Sequence, residues 1–316
     1  MIILENDFLK ITFNKYGASI TSLLVKKVNR DVIYSYKDDL NYKNNFMFLG
    51  CMIGRSSGRI ENAIIEIDKN KYQLEKNFLN KHNLHGGKGI HNLLFSYKIS
   101  NDEVLFEREL KHLDDGFVGN VKISLTYKII DNKLKLNIYA TTDRLTYLNL
   151  TNHVSFNLNQ SKYKTILDHK LYINSKNYIK LNKEMIPKKI SKVNSVFDFS
   201  NKKYIKTDFY NKNRQLKIAN GYDHTYILNN DSNIKATLEI EDLKLNLYTT
   251  NKALVVYTGN NQKEGILTKV DKSYKYGSIS LEAQGVPNNQ KFKEYRNDNL
   301  IDIDKPYNEN IIWEFI

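Results

Sequence analysis

Four short segments each set an ionisable side chain among residues that carry no such chemistry. They are Asn83-Leu84-His85-Gly86-Gly87, Asn149-Leu150-Thr151-Asn152-His153, Gly221-Tyr222-Asp223-His224 and Leu281-Glu282-Ala283-Gln284. Two histidines, an aspartate and a glutamate make a general acid/base set without a nucleophile. Such a set points away from covalent hydrolysis and towards a reaction that moves protons. The two glycines after His85 permit positive φ and close backbone approach, so this loop is able to lie against a ligand. An ordinary surface or core histidine is the alternative. His153 sits where polar Asn and Thr interleave with apolar residues, as on a strand lining a polar pocket. Its imidazole titrates near neutrality unless it is merely satisfied by a backbone carbonyl. Glu282 ends an alternating apolar run, where desolvation raises a carboxylate towards a base's working range; the alternative is a solvated strand end. Asp223 and His224 are adjacent, and neighbours on a strand face opposite ways, so one of them faces the pocket and not both.

His82, His85 and His91 invite a metal reading. No thiol or nearby carboxylate completes a tetrahedral set, and a strand or loop does not put all three on one side, so no metal is expected. A Rossmann glycine fingerprint and a P-loop are both absent, and no cofactor is expected either.

The elements that must position these groups are strands. Val121, Ile123, Leu125, Tyr127 and Ile129 alternate with Lys122, Ser124, Thr126 and Lys128; after Asp131-Asn132, Leu134, Leu136, Ile138 and Ala140 alternate in the same way. This predicts a hairpin with one buried face. Residues 234–240 and 243–249 repeat it around Glu241-Asp242, and 64–67 with 71–74 form a shorter one. No helical periodicity extends beyond about two turns, the best candidate lying around Asp38 to Asn44. Successive hairpins without crossover helices predict an all-β fold, a large antiparallel β-sandwich. Three prolines and no Gly/Ser-rich linker leave no boundary, so 1–316 is expected to form one domain.

Bulk properties narrow the setting. The single cysteine, Cys51, excludes an intrachain disulfide framework and suits a reducing compartment. The amino terminus lacks a basic region before its apolar residues, and no run approaches the roughly 18 apolar residues that span a bilayer. A cytoplasmic protein without membrane contact is the expectation. The net charge of +13 is spread through a sequence equally rich in Asn, Ile and Tyr, which reads as compositional bias. No basic stripe with aromatics marks a nucleic-acid surface.

Taken in order, these segments resemble the aldose 1-epimerase (galactose mutarotase) family. Gly54-Arg55-Ser56-Ser57-Gly58-Arg59-Ile60 resembles its early Gly-Arg…Arg-Ile segment, and Asn83 to Gly87 its Leu-His-Gly-Gly loop. Gly116-Phe117-Val118-Gly119-Asn120, Asn149 to Leu158, Gly221 to His224, Val256-Tyr257-Thr258-Gly259-Asn260 and Leu281 to Gln284 complete a collinear series over nearly the whole chain. The resemblance implies a galactose mutarotase-like supersandwich and the interconversion of α- and β-anomers of a free aldose, with that small molecule as partner. It implies Glu282 as the base at the C1 hydroxyl and His153 as the acid at the ring oxygen. It also implies Arg59, His85 and Asp223 as groups that hold sugar hydroxyls, and Tyr257 is placed to stack on a pyranose. The chain departs from the family pattern at Gly58, Val118, Val154-Ser155 and Val255, where Asn, Pro, Ser-Tyr and Gln are common. These departures spare the acid and base and bear on which sugar is preferred. A relative acting on a phosphorylated hexose would need converging cations, for which Arg55 and Arg59 are the close pair. A non-catalytic sugar binder would have no need of both acid and base. Oligomeric state is not legible.

Overall fold

In the computed structural model, which describes residues 2–159 and 165–316, the predicted hairpin forms from Val121–Ile130 and Lys133–Thr142. The two strands pair antiparallel over ten residues each, and Asp131 takes a left-handed φ of 51° at the turn. Alternation sorts their side chains as expected: Val121, Ile123, Leu125, Leu134, Leu136 and Ile138 are buried, while Lys122 is exposed. The shorter hairpin also forms, from Ile64–Ile67 and Asn70–Gln73. The hairpin expected over 234–249 forms from Ala236–Glu239 and Lys244–Thr249, shorter at its start because the chain leaves the ladder before Ala236.

The 64–73 hairpin stands as a two-stranded sheet of its own, while the first and third of these hairpins join one nine-stranded antiparallel sheet. Its order is Ser96–Ile99, Glu103–Leu110, Val121–Ile130, Lys133–Thr142, Tyr307–Phe315, Lys244–Thr249, Ala236–Glu239, Lys170–Ile173 and Lys203–Tyr204. The carboxyl-terminal strand is the keystone: Trp313 lies opposite Leu134 on one side and Leu247 on the other. A six-stranded sheet runs Ser155–Phe156, Ile279–Gln284, Ala253–Tyr257, Asp223–Leu228, Ser175–Leu181 and Pro187–Lys192. A four-stranded sheet, Ile2–Glu5, Leu9–Asn14, Ser19–Val25 and Arg30–Asp31, supplies a third face.

Apolar residues of all three sheets merge in one cluster that includes Phe13, Ile20, Leu125, Leu136, Trp313, Tyr226 and Leu281. Burying a Leu or Phe side chain fully contributes about 1.5–3 kcal/mol, so this shared layer holds the sandwich together. Helix is scarce, as expected. Asp39–Asn44 is a 3₁₀ turn whose N-cap, Asp38, accepts from Leu40 N–H. Among the described residues no helix is long and apolar enough to cross a membrane.

Candidate active site

Strand register builds the floor of the site. Across the three central strands of the six-stranded sheet, Ser280, Tyr257 and Asp223 stand in one row and Glu282, Val255 and Thr225 in the next. Same-face residues recur every second position, so the pairings aim Tyr257, Asp223, Glu282, Val255 and Thr225 at one cavity of about 280 Å³. His153 enters from the bend between Thr151–Asn152 and Ser155–Phe156, where its N–H donates to Cys51 O at 2.8 Å. Its Nε2 lies 3.4 Å from Glu282 Oε1, and its Nδ1 lies 3.4 Å from Ser280 Oγ.

The walls come from loops. His85 holds a left-handed φ of 53°, and Gly86 and Gly87 continue with φ of 81° and 90°. A Cβ on Gly86 would sit 2.1 Å from Gly54 O, which explains the glycine there. Gly58 N–H donates to His85 Nδ1 at 3.3 Å, so Nε2 carries the proton of the neutral ring. The ring stands edge-on to His153 at 5.7 Å, and Phe48 packs on both, 4.8 Å from His85 and 6.0 Å from His153. Arg59, paired in register with Leu84, donates from Nη2 to Asp223 Oδ2 at 3.0 Å and lies 4.9 Å from the centre of the Phe78 ring. Its buried Nε has no protein partner.

All five site residues expected from the sequence (His153, Glu282, Arg59, His85 and Asp223) thus line one cavity. Tyr257 lines it too, its hydroxyl accepting from Asn261 N–H at 3.0 Å. Of the adjacent pair, Asp223 faces the cavity and His224 packs away from it, 4.7 Å from Phe197. Of the three histidines at 82, 85 and 91, His82 is held apart, its Nδ1 accepting from Asn62 N–H at 2.9 Å, while His85 and His91 both pack on Phe48, at 4.8 and 4.7 Å. Among the described residues no group of three His, Cys, Asp or Glu side chains is set to hold a metal. Arg55 does not converge with Arg59. It is buried and donates to the carbonyls of Val118 and Gly119 and to Thr146 Oγ1, outside the cavity.

Phe48, Phe78, Thr225 and Gln262 also line the cavity, unforeseen from the sequence. Gln262 Nε2 donates to Ser278 Oγ at 2.6 Å, and its buried Oε1 is unpartnered. A signal existed for Gln262, which closely follows the Val256 to Asn260 motif. The phenylalanines had none, since an aromatic in a loop reads as core.

Burial sets the electrostatics. Glu282 is pushed up to about 8, chiefly by desolvation and then by Asp223, with Arg59 opposing. His153 is pulled down to about 4 by desolvation, against its backbone hydrogen bond and Asp223. His85 is held well below its usual range by burial, then by His153, Arg59 and His91. Burial thus disfavours the charged form of both partners across the 3.4 Å contact, favouring carboxyl and neutral imidazole over an ion pair. One proton moved across it gives carboxylate and imidazolium with the same total charge. The pair holds one exchangeable proton between an acid and a base.

Fold and site together define an all-β acid/base enzyme for a small polar ligand, and known proteins resemble it closely. Residues 1–297 match the family described as aldose 1-epimerase. An aldose 1-epimerase of Haemophilus influenzae is 34% identical over 309 residues, covering 94% of this chain and 89% of that protein. A human galactose mutarotase is 28% identical over 295 residues, covering 90% and 84%. The solved galactose 1-epimerase of Lactobacillus acidophilus superposes with a TM-score of 0.89 at 26% identity, covering 99% of this chain and 93% of that one. The chain belongs to the aldose 1-epimerase family and is an isomerase.

Proposed function

We propose that the protein interconverts the α- and β-anomers of a free hexose, galactose or glucose, with Glu282 as base and His153 as acid. The observation that carries this reading is the 3.4 Å contact between His153 Nε2 and Glu282 Oε1 on the floor of a cavity flanked by Arg59, His85 and Asp223. In ring opening, carboxylate Glu282 takes the C1 hydroxyl proton while imidazolium His153 protonates the ring oxygen, and the C1–O5 bond breaks. The pair is left as carboxyl and neutral imidazole. The aldehyde turns about C1–C2. In closure, His153 takes the proton of the attacking hydroxyl and Glu282 returns its proton to the carbonyl oxygen. Each tautomer of the pair serves one direction, so the cycle balances without another proton source.

Arg59, the Nε2–H of His85 and the carboxylate of Asp223 hold the hydroxyls, and Gln262 lines the same cavity. The same reading takes 1–316 as one domain, supported by the apolar cluster shared by three sheets. It places the protein in the cytoplasm, in keeping with a single, buried, unpaired cysteine.

The test is anomer exchange by NMR with freshly dissolved α-D-galactose and α-D-glucose. Exchange that is catalysed by the wild type and lost in both Glu282→Gln and His153→Asn is the expected result. Undiminished exchange in both variants would remove these two residues from the mechanism.

A further inference from the structure

The 83–89 loop that carries His85 is held in place from outside the cavity. Four of its residues, His85, Gly86, Gly87 and Gly89, have positive φ of 53°, 81°, 90° and 62°, a path that surrounding contacts must impose. Asn77 grips one side: its Oδ1 accepts from Leu84 N–H, and its Nδ2 donates to Leu84 O and Gly87 O. The other side is gripped by two carboxyl groups. Lys88 N–H is shared between Glu75 Oε2 at 2.9 Å and Asp115 Oδ1 at 3.3 Å, and Gly89 N–H donates to Asp115 Oδ2 at 3.1 Å. Glu75 N–H in turn donates to Asp115 O at 3.1 Å, and Asn83 Nδ2 donates to Glu75 O at 2.9 Å. A Cβ on Gly87 would come within 2.8 Å of Glu75 Oε2, so loop and carboxyl fit without slack.

Two carboxyl groups that converge on one N–H have acceptor oxygens in contact. Ionised, they repel; with one proton between them, they hydrogen-bond to each other and still accept from the backbone. The other charged and titratable groups around the pair do not neutralise it. Lys88, on the loop itself, and Lys76, beside Glu75, are exposed. Asp114 adds a further negative charge, and its Oδ2 accepts from Lys111 N–H. Arg55 has its guanidinium donated to backbone carbonyls and Thr146, Arg108 donates to Leu94 O, and the His91 ring on the loop's far side is held neutral.

We propose that Glu75 and Asp115 act as positioning residues for His85, clamping the 83–89 loop so that the protonation of Asp115 sets the affinity for sugar. This rests on the reading of His85 as a sugar contact. It also gives the Gly116 to Asn120 turn a task that the reaction itself does not: that turn, anchored by Arg55, presents Asp115 to the loop. Burial and the Glu75 contact push Asp115 up to about 6, so its proton leaves as pH rises through about 6. Repulsion then loosens the clamp, and KM rises while kcat does not follow that transition.

The experiment is the pH dependence of KM and kcat for anomer exchange, run on wild type, Glu75→Gln, Glu75→Ala and His85→Ala. Gln at 75 donates an amide N–H to Asp115 and accepts from Lys88 N–H at every pH. KM in Glu75→Gln is expected to stay flat where the wild-type KM climbs. Glu75→Ala is expected to raise KM about tenfold, the loss of a hydrogen bond to a charged acceptor, with kcat within about twofold. A second readout is the NMR signal of the His85 ring. In wild type it should shift with a midpoint near 6, and in Glu75→Gln it should not. If Glu75→Gln keeps the wild-type KM profile and the His85 shift, the proposal falls. A Glu75→Ala protein with lowered Tm but unchanged KM also overturns it, leaving a merely structural contact. If His85→Ala leaves KM unchanged, the reading of His85 fails instead, a result distinct from either of the others.

Discussion

Glu282 and His153 owe their chemistry to what surrounds them. Both are buried, and each has its charged form destabilised by desolvation. Positioned proton transfer contributes roughly 10²–10⁴-fold per group, so Glu282→Gln and His153→Asn should each cut kcat by that order while KM changes less. NMR exchange rates at saturating sugar check this. The raised carboxyl has a consequence for stability. Its folded value of about 8 lies above that of an unfolded glutamate, so the folded state binds the extra proton. That stabilising contribution is full below pH about 4.3 and is lost as pH rises through 8. Glu282→Gln should therefore gain stability relative to wild type as pH rises from 5 to 8, by up to about 1.4 kcal/mol per pH unit. His153 acts in the opposite sense. Its lowered value, about 4, makes wild-type stability fall as pH drops below about 6.5, and His153→Asn should lack that loss. Thermal melts across pH 4–8 separate the two.

At the scale of elements, hairpins were legible and the loops between them were not. The strands Val121–Ile130 and Lys133–Thr142 follow a period-two pattern set by local sequence, and their register follows from the turn at Asp131. The opposite orientations of Asp223 and His224 were legible for the same reason. Nothing local announced that Phe48 and Phe78 would wall the cavity, because these positions depend on loops held by distant partners. The 85–87 loop tests how much such a path matters. Gly86→Ala places a Cβ against Gly54 O and should cost several kcal/mol, with sugar binding lost before the sheets melt. Calorimetric titration with galactose beside a circular dichroism melt would show the two losses apart.

For the whole molecule, the carboxyl-terminal strand closes the large sheet and buries the single tryptophan, Trp313, at 1% exposure between Leu134 and Leu247. Its fluorescence should report global unfolding and ignore sugar, since it does not line the cavity. Trp313→Ala should cost about 3–5 kcal/mol, read as a lower denaturation midpoint, while the folded fraction keeps its kcat/KM. Cys51 gives an independent probe of the same event. It is fully buried and burial pushes its thiol well above the usual range, so alkylation should follow unfolding and not precede it.

The sequence by itself determined the all-β class and the main hairpins, and its motifs singled out His153, Glu282, Arg59, His85 and Asp223. These depend on side-chain type and on a two-residue period that neighbours along the chain enforce. Tertiary structure alone decided that residues as far apart as Arg59 and Glu282 line one cavity, because only long-range strand pairing puts Asp223, Val255 and Glu282 side by side. It also decided the proton affinities of the pair and that Arg55 anchors a turn instead of facing a ligand. Those properties arise from desolvation and from partners distant in sequence, and no local pattern encodes them.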